Sequence, residues 1–156
     1  MESPDDEPVM RPITIDLLDA VLAIEVEAYT FPWTRGNFID ALAAGYIARA
    51  LVAPGGGVLG YLIAMPGVDE MHLLNVTVAP EQQGRGHARR MLDQLYRQSA
   101  TFGAAAVWLE VRESNARARA LYVSEGFTEA GRRRDYYPAP QGRHEDAILM
   151  TKVLGT

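Results

Sequence analysis

Two stretches of this chain carry residue types and spacings that could do chemistry. In Val76-Thr-Val-Ala-Pro-Glu-Gln-Gln83-Gly84-Arg85-Gly86-His87-Ala88-Arg89, a strand pattern runs into a glycine turn that opens directly into a helix pattern. Glycines let the backbone approach a ligand closely, and the first unbonded N–H groups of the helix then point at it. With the helix dipole this makes an anion site suited to phosphate or diphosphate, where Arg85 and Arg89 add charge-assisted contacts. The same residues also fit a plain helix entry with incidental glycines. The second stretch is Val107-Trp-Leu-Glu110-Val, where an acid interrupts an apolar strand. Glu110 reads as a partly desolvated carboxyl with a raised pKa, suited to general-base work. It reads equally as an outward-facing residue, since Trp108 and Glu110 share one face of a strand while Leu109 and Val111 share the other. Tyr122 lies on the helical stripe Ala118, Leu121, Tyr122, Glu125; taken alone it is a core aromatic with a satisfied hydroxyl.

Two nucleotide motifs fail on the first stretch. A Walker loop needs Gly-Lys-Ser/Thr, and Lys152 is the only lysine in the chain. A dinucleotide fingerprint needs a third glycine where Arg89 stands, directly after a strand; five residues including Pro80 intervene between Val78 and Gly84, although Glu110 lies near the distance of a ribose-binding acid. Cysteine is absent, which excludes disulfides, thiolate metal sites and a cysteine acyl-enzyme. His72, His87 and His144 have no ligand-like spacing, so no metal is expected. The 156 residues, 48% apolar and 22% charged, suit one globular domain. An acidic start unlike a signal peptide, and no apolar stretch long enough to span a bilayer, imply a cytoplasmic protein without a membrane partner. The net charge of −5 is uneven: residues 1–80 balance at −8, 81–134 at +4 and 135–156 at −1. Such asymmetry suits an anionic ligand in one place and a cationic one in another, or is patchy surface charge. Arg132-Arg133-Arg134 reads as a solvated strand segment rather than a nucleic-acid patch.

The elements that must position these residues follow from periodicity. Residues 1–9 read as a frayed acidic tail, and 10–156 as a single domain. Apolar positions from Ile15 to about Tyr29 crowd one side of a helix that Phe31-Pro32-Trp33 breaks, and Thr34 caps a second through Ala44 with Phe38, Leu42 and Ile39 inward. Strands follow at Ala48–Ala53 and Val58–Met65 around Pro54-Gly55-Gly56-Gly57, then at Met71–Val78. A helix from Ala88 to about Phe102, a strand Ala105–Val111 and a helix Ala116–Glu125 capped by Asn115 come next. Two strands, Phe127–Tyr137 and Ala147–Leu154, close the chain around a loop 138–146. With a first strand near Met10–Ile13, the order β-α-α-β-β-β-α-β-α-β-β implies a mixed α/β sheet.

Gln83-x-x-Gly86-x-Ala88 matches the Gln/Arg-x-x-Gly-x-Gly/Ala loop of the GNAT superfamily of acyl-CoA-dependent N-acetyltransferases. The resemblance narrows further. Glu25 through Phe31-Pro32-Trp33-Thr34, Asn75-Val-Thr-Val, Trp108-Leu-Glu-Val-Arg-Glu-Ser-Asn115, Ala120-Leu-Tyr122, Gly126-Phe127, Arg133-Arg-Asp-Tyr-Tyr-Pro138 and Gly142-Arg143 through Glu145-Asp146-Ala-Ile-Leu-Met150 resemble the RimI family in order and spacing over residues 13–154. Those enzymes acetylate the N-terminal alanine of the eighteenth ribosomal protein of the small subunit. The resemblance implies the GNAT fold, a mixed and mostly antiparallel sheet flanked by helices, with acetyl-CoA as co-substrate and a ribosomal protein N-terminus as partner. It places the pantetheine arm along Val76, Thr77 and Val78, the diphosphate on Gly84, Arg85, Gly86, His87, Ala88 and Arg89, and a further cofactor contact at Asn115. It gives Glu110 the role of proton acceptor and Tyr122 that of proton donor to the CoA sulfur. Phe31, Pro32 and Trp33, with Tyr136 and Tyr137, resemble two loops that flank the acceptor peptide.

Proton arithmetic agrees with such an acceptor. An α-amine with a pKa near 7.7–8.0 is about a tenth neutral at pH 7, whereas a lysine near 10.4 is neutral about once in two thousand. One carboxylate therefore has much less to do for an N-terminus. Other readings are a GNAT enzyme acting on lysines or small amines, and a non-catalytic acyl-CoA-binding or ribosome-assembly protein. The chain departs from the family pattern in an extra residue, His144, and in its acidic tail.

Overall fold

The computed structural model describes residues 7–155. Hydrogen bonding orders seven strands as β1-β2-β3-β4-β5-β7-β6, with four helices between them. The chain divides into two compact units, residues 1–65 with 75–95 and residues 66–74 with 96–156.

In the first unit, β1 (Val9–Pro12) pairs antiparallel with β2 (Ile47–Val52), and β2 with β3 (Val58–Pro66). The hairpin at 54–57 is closed by Ala53 and Gly57, whose N–H and carbonyl meet at 2.8 Å. Helix α1 (Ile15–Ala28) and helix α2 (Arg35–Ala43) cover this sheet. Thr34 caps α2 reciprocally with Asn37, each side chain accepting from the other's backbone N–H. Leu18, Val21, Ile24, Phe38, Ala41, Ala50, Tyr61 and Ile63 form the core; Ile39 is exposed instead of inward. Helix α1 ends one residue earlier than expected, with Tyr29 already extended, ahead of the restriction that Pro32 imposes. Residues 1–6 of the expected tail lie outside those described, but Glu7 reaches Arg90 at 3.7 Å and Val9 is registered on Val52.

Strand β4 (Glu70–Val78) crosses from one unit to the other, as does helix α3 (His87–Thr101). Along β4, Met71, Leu73, Asn75 and Thr77 share the buried face. Gly60 on β3 stands so close to β4 that a Cβ there would meet the Thr77 carbonyl oxygen at 2.5 Å, so only glycine fits.

In the second unit, β4 pairs parallel with β5 (Ala106–Arg112) over Glu70–Leu73 and Ala106–Leu109. Strand β7 (His144–Val153) pairs antiparallel with β5 and with the edge strand β6 (Thr128–Pro138). Strand β7 begins at His144, opposite Pro138, so the additional residue extends a ladder that the sequence pattern reads as loop. Helix α4 (Ala116–Ser124) is capped by Asn115, whose side-chain oxygen accepts from the Ala118 N–H at 3.1 Å. Strand β6 is solvent-facing along nearly its whole length and carries arginines, as an unpaired edge must to resist sheet growth.

Candidate active site

The anion cradle forms where β4 ends. The Ala79 N–H bonds the Leu59 carbonyl at 2.9 Å, a short 3-10 turn covers Pro80–Gln82, and Gly84 and Gly86 follow with φ of 80° and 82°. Arg85 between them is not in the left-handed region, so backbone handedness alternates along the turn, a pattern that anion-binding nests use. No atom lies within 4 Å of where a Cβ at 84 or 86 would stand, which leaves that space open. Helix α3 starts at His87 with 15 residues of aligned dipole behind it. Arg85 and Arg89 are exposed beside it. His87 is held below its usual pKa, by partial burial first and then by Arg90 and Arg85, so at neutral pH it is an uncharged donor or acceptor. Main-chain donors, a helix N-terminus and two guanidinium groups suit a diphosphate. Val76 and Val78 are half-buried while Thr77 between them is buried, and the β4–β5 ladder runs only from Glu70 to Leu73.

The same unit holds a polar network that sequence reasoning missed. Glu25 on α1 is 1% exposed. Its Oε1 accepts from the Tyr61 hydroxyl at 2.6 Å and from Asn75 Nδ2 at 3.0 Å, and its Oε2 accepts from the Trp33 backbone N–H at 2.8 Å. Thr77 donates to Asn75 Oδ1 at 2.7 Å. A threonine hydroxyl has one proton, so Tyr29, 2.6 Å away, must donate to Thr77. Burial, then the bond to Glu25, pushes the Tyr61 hydroxyl far above its ordinary pKa; burial also raises Tyr29. The signal was present in the sequence. Glu25 falls on the Leu18-Val21 stripe of α1, and Asn75 and Thr77 fall on the Met71-Leu73 face of β4. Polar groups on two buried faces had to meet each other.

That network reaches the 31–33 loop. The Trp33 indole packs on Phe38 with ring centres 5.1 Å apart, and Phe38 stands edge-on to Tyr61 at 5.9 Å. Trp33 is thus partly a core residue, while Phe31 is 40% exposed.

In the second unit Glu110 lies on the half-exposed face of β5, with Val107, Leu109 and Val111 buried behind it. Its side chain is 24% exposed and is ion-paired rather than isolated. Arg133 Nε, on β6, stands 2.9 Å from its Oε1. The pairing arises because Leu149 of β7 is registered on both Glu110 and Gly131, so a long β6 side chain beside Gly131 reaches over β7. The β6 register shifts between Arg133 and Tyr137, with Asp135 at φ 51° inside the irregularity. Tyr136 and Tyr137 project from it with ring centres 5.0 Å apart. Arg133 stands over Tyr136 at 5.4 Å and Arg112 over Tyr137 at 4.6 Å. Burial, then the charge of Glu110, pushes Tyr137 up to about 12. Glu110, Tyr136 and Tyr137 are therefore gathered together. Tyr122 on α4 is 8% exposed and packs edge-on to Phe127 at 5.6 Å. Asn115 spends one lone pair of its side chain on the α4 cap.

Comparison with known proteins places this geometry in context. The Acetyltransferase (GNAT) family model matches residues 18–127. The [ribosomal protein bS18]-alanine N-acetyltransferase of Salmonella typhimurium is 43% identical over 133 residues, covering 85% of this chain and 88% of that protein. The crystal structure of the ribosomal-protein-S18-alanine N-acetyltransferase from Escherichia coli superposes with a TM-score of 0.86 at 37% identity, covering 96% of this chain and 95% of that one. Naa20 of Chaetomium thermophilum, crystallised with a bisubstrate analogue, shares the fold at a TM-score of 0.81 and 24% identity, over 94% of this chain and 86% of that one.

Proposed function

Because the chain belongs to the GNAT acetyltransferases and, within them, to the RimI family, we propose that it carries acetyl from acetyl-CoA to the N-terminal alanine of ribosomal protein bS18. The observation that supports this best in the structure is the strand end that opens through two left-handed glycines into α3.

Acetyl-CoA supplies the acyl group as an activated thioester. Main-chain N–H groups of Gly84 to Arg89 hold the diphosphate, with Arg85 and Arg89 adding charge. Backbone groups of Val76, Thr77 and Val78 pair with the pantetheine arm as an added strand would, and Asn115 contacts the cofactor with the lone pair its cap leaves. Phe31 and Pro32, backed by Trp33, contact the acceptor peptide, as do Tyr136 and Tyr137. Glu110 takes a proton from the incoming ammonium, which replaces Arg133 as its partner. The amine then attacks the thioester carbonyl directly, the nitrogen–carbon bond forms and the carbon–sulfur bond breaks. Tyr122 gives a proton to the departing sulfur and regains one from the second proton that the acylated nitrogen sheds, while the first leaves through Glu110 to solvent; the ammonium thus loses two protons, of which the thiol keeps one. No cysteine exists to carry an acyl-enzyme, in keeping with direct attack.

The test is incubation with acetyl-CoA and a panel of hexapeptides that differ in the first residue, read by mass spectrometry. Acetyl on the α-amine of alanine-first peptides is expected. Acetyl placed instead on an internal lysine would overturn the acceptor assignment.

A further inference from the structure

A charged side chain sealed in a core is costly unless every lone pair is used, and it persists where it holds something in place. Glu25 is 1% exposed and accepts three hydrogen bonds, two from side chains of β3 and β4 and one from the Trp33 backbone. All protons of the wider chain, from Tyr29 through Thr77 and Asn75, run toward this carboxylate. Oε1 is taken up by side chains of the sheet, whereas the group that Oε2 binds lies in the 31–33 loop.

We propose that Glu25 is a positioning residue for the acceptor site. Its carboxylate, fixed by Tyr61 and Asn75, ties down the Trp33 main chain and thereby sets how far Phe31 projects toward the first side chain of the acceptor, so that small first residues are favoured. This deepens the acceptor reading above and rests on it. The indole of Trp33 is held separately by Phe38. Backbone and ring are thus pinned at two points, while Phe31, two residues earlier, is the aromatic that stands exposed. The pinned loop needs no ordering when peptide arrives, and a preset wall discriminates by size better than one that can yield.

Glu25→Gln tests this with little change in shape. The glutamine carbonyl oxygen can still accept from Tyr61 and Asn75, but its NH2 then meets the Trp33 N–H donor to donor. The preference for alanine-first over leucine-first peptides, as the ratio of kcat/KM values, should fall about tenfold, the loss expected for one bond to a charged acceptor. KM for the alanine-first peptide should rise by a similar factor while KM for acetyl-CoA stays within about twofold, a split that general loss of structure would not produce. Selectivity unchanged in a folded Glu25→Gln protein would overturn the proposal. A measurement on the unaltered protein guards against a variant that does not fold. By hydrogen exchange, the Trp33 amide should be slowed about a hundredfold or more against an unstructured peptide, although it sits in a loop; exchange at the free rate would overturn it equally. Phe31→Ala separates the two levels. If that variant leaves selectivity unaltered, the acceptor-wall reading itself fails; if it relaxes selectivity and Glu25→Gln does not, positioning by Glu25 alone is wrong.

Discussion

At the scale of single residues, the two proposed proton carriers differ in setting. Tyr122 is nearly buried and rests edge-on against Phe127, so its ring orientation is set before any ligand arrives. Tyr122→Phe keeps that packing and removes only the proton. Turnover should fall about a hundredfold, in the usual range for a lost general acid, with CoA affinity nearly intact. Steady-state kinetics beside equilibrium CoA binding would show it, and unchanged turnover would remove Tyr122 from the role. Glu110→Gln should in turn flatten the acidic limb of the pH–rate profile. The position of Glu110 on an alternating strand was readable from Val107, Leu109 and Val111. Its partner was not, because Arg133 reaches it across β7, and nothing in a linear pattern says which β6 side chain will bend that way. Glu25 shows the opposite failing. Its place on the apolar stripe of α1 was legible, and the meaning of an acid there was passed over.

At the scale of elements, periodicity and turn chemistry located all seven strands and four helices within about two residues for most ends. The largest miss is the start of β7. The polar run His144-Glu145-Asp146 looks like loop, yet Arg112 and Ser114 give Glu145 the partners that let it enter a ladder. Burial works against ionisation of Glu145, but its bonds to Arg112 and Ser114 outweigh that and hold its carboxyl below the usual pKa. A pKa lowered by folding adds stability while the group is ionised, and that share vanishes as pH falls through the folded value. Glu145→Gln should therefore lower Tm by several degrees at neutral pH, and the gap to the parent should narrow in acid. Thermal melts at a series of pH values decide it; a gap that stays constant with pH would deny the ionic origin. Gly60 belongs to the same scale. A strand pattern suggests that glycine weakens β3, whereas contact with the β4 backbone is the reason it is there.

For the whole molecule, the charge imbalance along the sequence maps only in part onto the folded units. The first unit holds 11 acidic and 6 basic residues, including the exposed arginines of the cradle, and the second holds 9 of each. The first unit is thus net acidic and the second balanced; seven of the ten basic residues between 81 and 134 fall in the second unit and three in the cradle of the first, so sequence order alone does not say what surrounds a given charge. The basic run Arg132-Arg133-Arg134 makes the same point more sharply. Arg132 is clamped by Glu113 and Asp146, each at 2.9 Å, Arg133 by Glu110, and Arg134 lies within the field of Asp146. What keeps such a strip from clinging to polyanions is then not a scarcity of positive charge but the carboxylates stationed beside it. An Asp146→Asn protein should elute later from heparin than its parent, having unmasked an adhesiveness the native molecule keeps neutralised.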